Sequence, residues 1–272
     1  MISNTVNTKM KPTTRILVVF NALAFLAVLI VNYLANALPL NGKNTGELSD
    51  QCPNLFTPAG LTFSIWGIIY GWLAVLIGFQ IGALFRPKLA TRVEPIVDKI
   101  GWLFFATCIL NVSWIFAWHW EYLALSVVIM TGFLVTLLRL NENIGVGDSK
   151  VNNLEKWLSH FPLGIYQGWI TVAIIANVTA HLVTSGWRGG GLGEPAWAIL
   201  MIVIGTAAAI FMLFRQNNIG HGLAVSWALL GIYLKRSESQ DIGSPTVGLI
   251  AMIAMVILIV ITATRWRRWA AY

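Results

Sequence analysis

Charged residues are scarce in this chain: Asp, Glu, Lys and Arg together make up 11% of its 272 residues. Soluble domains contain about 25% of these residues, so this chain has too few charges to cover a water-facing surface. Hydrophobic residues reach 57% and the mean hydropathy is +0.72. These values exclude a soluble globular protein and predict an integral membrane protein. The net charge of +7 does not indicate a nucleic-acid partner, because the basic residues stand at the ends of apolar segments.

Cysteine is rare, and the apolar segments lack ionisable residues near their centres. Cys52 lies in a polar stretch and Cys108 in the middle of an apolar one, so we expect no disulfide between them. Without a central Asp, Glu, Lys or Arg there is no visible proton relay or ion-coupling site, which counts against an ion-driven transporter. The sequence identifies no catalytic residues.

Histidine is also rare, and no Cys/His cluster of the kind that holds a structural metal is present. His119 and His181 are expected at the outer side of the membrane, and His160 and His221 at the inner side. Either pair could ligate haem iron, but a histidine at the end of a span is more often an interfacial residue. The sequence therefore predicts no certain cofactor and no metal site.

Eight apolar runs predict an all-α integral membrane protein, a bundle of about eight transmembrane helices. The runs lie at about 16–38, 58–85, 100–118, 123–140, 160–181, 196–214, 222–234 and 247–264. Most approach the 20 residues that a bilayer requires, and 222–234 is the shortest. Pro58 is expected to open the second span, since a proline costs least at the start of a helix. We divide the chain into an N-terminal segment (1–14), a first block (15–184) and three further helices with a basic C-terminus (185–272).

The positions of Lys and Arg predict the orientation. With the N-terminus inside, four of the 18 basic residues fall on outer segments: Lys43, Arg188, Lys235 and Arg236. The other fourteen fall on inner segments, which include the expected inner loop 86–99. The positive-inside rule then favours cytoplasmic N- and C-termini. We expect the bacterial inner membrane.

The fifth span carries two distinct faces. Residues spaced three and four apart share one face of a helix, and here that face is formed by Pro162, Tyr166, Trp169, Ala173, Asn177 and His181. Gly164 and Gly168 form a second, small-residue face that favours close helix packing. Asn177 requires a polar partner in hydrocarbon, which is either a neighbouring helix or a ligand.

The second and third spans repeat this pattern. In the second, Phe63, Trp66 and Tyr70 share a face beside the glycines Gly67, Gly71, Gly78 and Gly82. In the third, the shared face is formed by Asn111, Trp114 and Trp118. Three helices therefore present flat rings and two amides, and the glycine-rich faces of the second and fifth spans offer surfaces for a homodimer or a membrane-complex partner.

Three motifs in these spans resemble the translocator-protein family, the tryptophan-rich sensory proteins (TspO/MBR). They are FTPAGLTFSIWGIIY before and within the second span, LNVSW in the third and WITVAIIAN in the fifth. Their order and separation are also similar, and the resemblance covers about 15–184. The chain departs from the family at Ala59, where a second proline is usual, and its last three spans have no counterpart in the five-helix family.

The resemblance implies a five-helix bundle around a pocket, capped by the loop Pro39–Phe56, that binds a flat hydrophobic ligand such as a porphyrin or other tetrapyrrole. A role as sensor, receptor or ligand-handling protein would follow. The ligand-binding residues are expected to be Phe63, Trp66, Tyr70, Asn111, Trp114, Trp118, Tyr166, Trp169, Ala173 and Asn177. Flat aromatic walls suit stacking, and a few polar groups fix orientation.

Three alternatives remain open. The aromatic residues can simply be packed core, which is the usual role of Trp at helical spacing. The protein can be a structural, pigment- or lipid-contacting subunit of a larger membrane complex, for which the glycine faces and the extra spans are suited. It can also be a small-molecule transporter. Its partners would be the lipid bilayer and a hydrophobic small molecule.

Overall fold

The chain folds almost entirely into helices. The computed structural model describes residues 10–38, 40–148, 150–187, 189–239 and 242–270, and no β-strand occurs within these ranges. The helices are α1 (Pro12–Ala37), α2 (Thr45–Asp50), α3 (Ile65–Phe85), α4 (Pro87–Ile100), α5 (Leu103–His119), α6 (Leu123–Ile144), α7 (Asn153–Glu155), α8 (Phe161–Thr184), α9 (Glu194–Gln216), α10 (Ile219–Ser237) and α11 (Ser244–Ala270). The predicted all-α membrane bundle is confirmed.

Prolines and glycines set several helix boundaries. Arg86 is extended (φ −123°, ψ 101°), as expected for a residue before proline, and it separates α3 from α4. Gly101 at φ +52° separates α4 from α5, and Gly145 in the left-handed region ends α6. The prediction that Pro58 opens the second span is wrong: a 3₁₀ turn (Gly60–Ser64) precedes α3, and the N–H of Ala59, just before that turn, bonds to the carbonyl oxygen of Gly231 in α10.

Helix α4 replaces the inner loop expected at 86–99. Its apolar residues Ala90, Val93 and Val97 are buried in a small core with Val18 of α1 and Ala83 of α3. Its axis is bent by 59° from that of α5. An amphipathic helix at the end of an apolar span is typical of a segment that lies along the membrane interface.

By length and composition, six helices of the described ranges can cross a membrane, and α4 with α5 as one bent span would make seven. The seventh predicted span corresponds to α10, which is not among them. At 19 residues α10 is about 28 Å long at 1.5 Å per residue, close to the thickness of the hydrocarbon core. It is less apolar because most of it is buried against other helices and not against lipid.

Helix α8 lies at the centre and contacts α3, α6, α9 and α10. It continues a π-helical turn (Lys156–His160). Its predicted glycine face packs on α10: a Cβ on Gly168 would lie 2.6 Å from the carbonyl oxygen of His221, and one on Gly220 would lie 2.6 Å from that of Phe161. This face is therefore filled within the chain, whereas a Cβ on Gly67 or Gly71 of α3 would meet nothing within 4 Å.

Candidate functional site

A small cavity of about 40 Å³ lies between α3, α5 and α8. Its walls are formed by Phe63, Trp66, Trp114, Trp118, Trp169, Val172, Ala173, Ala176 and Asn177. Its roof is formed by Thr45, Ser49 and Pro58 of the loop that joins α1 to α3. Pockets for drug-sized ligands measure about 300–1,000 Å³, so the cavity in this conformation holds only a few water-sized molecules.

The structure brings together seven of the ten residues that the sequence suggests as ligand contacts: Phe63, Trp66, Trp114, Trp118, Trp169, Ala173 and Asn177. The other three, Tyr70, Asn111 and Tyr166, do not line this cavity. Sequence reasoning missed Val172 and Ala176, which lie beside Ala173 and Asn177 on the same helix. Whether any of these residues binds a ligand stays a prediction.

The aromatic rings of the walls contact one another. Trp169 packs edge-on against Phe63 at 5.9 Å and against Trp66 at 6.1 Å between ring centroids. Trp114 and Trp118 are stacked at 5.8 Å with an interplanar angle of 22°. These contacts give the cavity two aromatic walls, one of stacked rings on α5 and one of edge-on rings from the start of α3 and from α8, and they also contribute to the core of the bundle.

Trp169 differs from Trp114 and Trp118 of the same cavity in its hydrogen bonding. Its side chain is 3% exposed, and its indole N–H has no partner among the described residues. By contrast, Trp114 donates its indole N–H to Asn177 Oδ1 at 2.8 Å. An unpaired buried donor is costly, and here it belongs to a residue that lines a cavity.

Asn177 is an interhelical contact as well as a cavity residue. Its Oδ1 accepts from Trp114 of α5, and its Nδ2 donates to Ser126 Oγ of α6 at 2.8 Å. Ser126 Oγ in turn donates to the carbonyl oxygen of Leu123 at 2.8 Å. The amide is therefore bonded through both its oxygen and its nitrogen to neighbouring helices, as the neighbouring-helix interpretation of the sequence expects.

The three predicted residues outside the cavity form a buried network with Asn32 of α1. Asn111 Nδ2 donates to the hydroxyl oxygens of Tyr70 at 3.0 Å and Tyr166 at 3.1 Å. Tyr70 donates to Asn32 Oδ1 at 3.0 Å, and Asn32 Nδ2 donates to Asn111 Oδ1 at 2.8 Å. This network joins α1, α3, α5 and α8, so these polar groups stabilise the bundle.

The roof begins with α2, inside the predicted capping loop (Pro39 lies outside the described residues). Asn44 and Glu47 form a capping box at the start of α2, and this N-x-x-E pattern is a helix-start signal that the prediction of a loop at Pro39–Phe56 left unused. Thr45 and Ser49 are four residues apart and so share its lower face. Thr45 Oγ1 lies 3.1 Å from His119 Nε2, which ties the roof to the end of α5.

The second part of the roof is bonded to α10. Ala59 N–H donates to the carbonyl oxygen of Gly231 at 3.0 Å, and Trp227 donates its indole N–H to the carbonyl oxygen of Thr62 at 2.9 Å. Lys235 of α10 forms an ion pair with Asp50 of α2 at 2.7 Å. The segment from α2 to the 3₁₀ turn is thus held by the second-last helix, which sequence reasoning did not foresee.

The histidines lie apart from the cavity lining. His119 bonds Thr45 with one ring nitrogen and lies 3.1 Å from the carbonyl oxygen of Leu40 with the other. His160 Nε2 lies 3.0 Å from the carbonyl oxygen of Ile144. In the described part of the chain, no three His, Cys, Asp or Glu side chains are grouped to hold a metal ion. Cys52 and Cys108 are free thiols.

Comparison with known proteins gives one match. No curated protein and no solved structure matches the chain. A family model described as TSPO-like protein matches residues 18–264, which includes α9, α10 and most of α11. The family pattern therefore extends past the five helices in which the sequence motifs lie. With this match over nearly its whole length, the chain belongs to the family of TSPO-like membrane proteins.

Proposed function

We propose that this TSPO-like protein binds a flat hydrophobic ligand of the tetrapyrrole class in the cavity between α3, α5 and α8, and acts as a sensor or handles that ligand. Membership of the TSPO-like family supports a membrane protein of the TspO type. The stacked rings of Trp114 and Trp118 offer a flat face to a planar ring system, and the edge-on rings of Trp66 and Trp169 add apolar contacts.

The observation that carries the proposal is the unpaired indole N–H of Trp169. A bound ligand with a carbonyl, carboxylate or ring-nitrogen acceptor would satisfy this donor. A net hydrogen bond of this kind contributes about 0.5–1.5 kcal/mol. The donor also favours ligands with an acceptor over pure hydrocarbons, since only the former pair it.

A tetrapyrrole requires the cavity to enlarge, and the roof is the part best able to move. Helix α2 has six residues and is bonded to α5 through Thr45, which contacts His119 Nε2 and accepts the indole N–H of Trp118. The ion pairs Lys43–Glu121 and Lys235–Asp50 are partly exposed, and exposed pairs contribute at most about 1 kcal/mol. Lifting α2 would remove Thr45 and Ser49 from the cavity while leaving both aromatic walls in place.

The test compares two matched variants in porphyrin titrations followed by absorption and tryptophan quenching. Trp169→Phe removes the unpaired donor from the cavity. Trp197→Phe is the control, because Trp197 of α9 also has a buried indole N–H without a partner among the described residues but does not line the cavity. We expect Trp169→Phe to weaken binding roughly two- to tenfold, the loss of one net hydrogen bond, and the control to bind normally.

Equal affinities for Trp169→Phe and the unmodified protein would refute the proposed site. If no porphyrin binds and other membrane proteins co-purify in fixed ratio, the alternative of a complex subunit would be favoured. Both variants keep an aromatic ring, so we expect little loss of fold stability, which thermal unfolding in detergent would check.

A further inference from the structure

A groove on the bundle surface, where α3 turns into α4, is independent of the central cavity. It consists of two adjoining spaces of about 630 Å³ and 340 Å³. Both are lined by Phe79, Arg86 and Leu89, so they form one continuous groove. One end lies on the apolar helix α3 and the other on the amphipathic helix α4.

The apolar end of the groove is open because two of its residues are glycines, which have no side chain. Val75, Gly78, Phe79 and Gly82 line it, and a Cβ built on Gly78 would meet no atom within 4 Å. Because α3 is a candidate membrane span, this end lies at the depth of lipid chains. Its shape therefore suits one acyl chain lying along the helix.

The other end of the groove is basic. Arg86, Lys88 and Arg92 line it and are exposed. None of the three makes a side-chain hydrogen bond or ion pair within the described residues, whereas the acidic residues of α4, Glu94 and Asp98, are bonded to the start of α1. The three unpaired cations beside the apolar groove are therefore available to bind an anionic group.

We propose that this groove binds an anionic diacyl phospholipid, with its phosphate at Arg86, Lys88 and Arg92 and one acyl chain beside Gly78 and Gly82. Basic pockets at the cytoplasmic ends of transmembrane helices bind anionic head groups, and the positive end of the α4 dipole adds to the attraction. A zwitterionic lipid fits the apolar part equally well but gains less from the three cations. Bound lipid would fix the angle between α3 and α4.

The test is native mass spectrometry of the full-length, delipidated protein in detergent, titrated with phosphatidylglycerol or phosphatidylcholine. The variant Arg86→Gln, Lys88→Gln, Arg92→Gln removes three charges from the groove. Each basic residue near an anionic lipid contributes about a fivefold effect, so we expect about a hundredfold weaker binding of phosphatidylglycerol. Binding of phosphatidylcholine should change much less.

The matched control removes three charges at the same end of the bundle: Arg215→Gln, Arg267→Gln, Arg268→Gln. These residues lie at the ends of α9 and α11. Lys99 of α4 forms an ion pair with Glu155 at 2.6 Å, and the adjacent Lys156 donates to the carbonyl oxygen of Trp269 in α11, so the end of α11 lies on the same side of the bundle as α4. If both triple variants lose phosphatidylglycerol equally, general charge attraction explains the binding and the groove proposal is overturned.

A second pair of variants tests the acyl-chain end without changing charge. Gly78→Leu fills the groove, and Gly67→Leu places the same side chain on an open face of α3 outside it; neither position has an atom within 4 Å of the new Cβ, so both should fold. We expect Gly78→Leu to weaken phosphatidylglycerol binding at least several-fold and Gly67→Leu to leave it unchanged. Unchanged binding by Gly78→Leu would refute the acyl-chain position.

Discussion

At the residue scale, two tryptophans show how a residue that lines the cavity differs from one that also joins two helices. Trp114 and Trp169 line the same cavity, but the indole N–H of Trp114 is bonded to Asn177 whereas that of Trp169 is unpaired. A substitution at Trp114 therefore disturbs the bond between α5 and α8 as well as the cavity. A substitution at Trp169 reports on the cavity with less effect on the bundle.

The variant Asn177→Leu should lower stability more than ligand affinity. It leaves the indole N–H of Trp114 and one hydrogen-bonding position of Ser126 unpaired, at a cost of about 1–3 kcal/mol for buried groups and less in membrane proteins. In the background Trp114→Phe the donor is already absent, so the cost should fall. Unfolding of the two single variants and the double variant in detergent measures this coupling. A strictly additive double variant would contradict the contact.

The helical spacing in the sequence predicts which helix faces point inward, but not at which level along the bundle axis their residues meet. Trp66, Trp114 and Trp169 were placed on inward faces, and all three line the cavity. Tyr70 and Tyr166 lie on the same faces one turn or less away, yet they point to the network of Asn111. Whether a residue lines the cavity or joins the network depends on how far neighbouring helices are shifted along their axes. The sequence of a single helix does not contain this information.

At the scale of helices, glycine residues allow two helices to approach each other closely. Gly168 of α8 lies against the backbone of His221 in α10, whereas Gly71 of α3 has no neighbour for a Cβ within 4 Å. The sequence predicted close packing at both helices, because the i, i+4 glycine spacing is the same. Only the position of the neighbouring helices decides which glycine face is filled within the chain.

Gly168→Ala should destabilise the protein, while Gly71→Ala should not. The new methyl group at position 168 would lie 2.6 Å from the carbonyl oxygen of His221, and such overpacking typically costs about 1–3 kcal/mol. At position 71 the alanine gains up to about 1 kcal/mol in helix propensity. Thermal unfolding of both variants in the same detergent makes the comparison; equal midpoints would contradict the α8–α10 contact.

Helix α4 was missed because its charged residues suggested a loop. The apolar residues Ala90, Val93 and Val97 nevertheless follow the helical spacing of three and four, and all are buried. The many charges of α4 mark a polar outer face, not an irregular segment. By contrast, the long apolar helices were predicted well, because a bilayer permits only segments that satisfy their own backbone groups.

The charge distribution predicts the orientation of the whole molecule in the membrane. Eight helical passes with the N-terminus inside would place Asn44 and Gly190 outside and Asp148 inside; Ser149, which follows Asp148, lies outside the described residues. Reporter fusions after these three residues test the arrangement. If α10 did not cross, the C-terminal basic residues would be outside, so a fusion after Ala270 tests the passage of α10. An outside signal there would reduce the number of spans to seven.

Helix α10, one of the last three helices, is connected to the cavity through the roof. Gly231 of α10 accepts the N–H of Ala59, and Trp227 donates to Thr62, while Pro58 of the same segment lines the cavity. A division at Thr184 into a ligand-binding block and an accessory block therefore separates elements that contact each other. The sequence could not indicate this, because the contacts join segments more than 160 residues apart.

Gly231→Val should loosen the roof without altering the cavity walls. A Cβ at this position would lie 3.0 Å from Pro58 Cβ and closer still to the side chain of Thr62, so the segment must move away from α10 and the bond from Ala59 N–H should weaken. A loss of about 1 kcal/mol corresponds to about fivefold faster amide exchange, measurable by hydrogen–deuterium exchange. Gly71→Val, on an open face of α3, is the control.

If the roof admits the ligand, porphyrin association should also become faster in Gly231→Val. Unchanged amide exchange at Ala59 would show that α10 does not hold the roof.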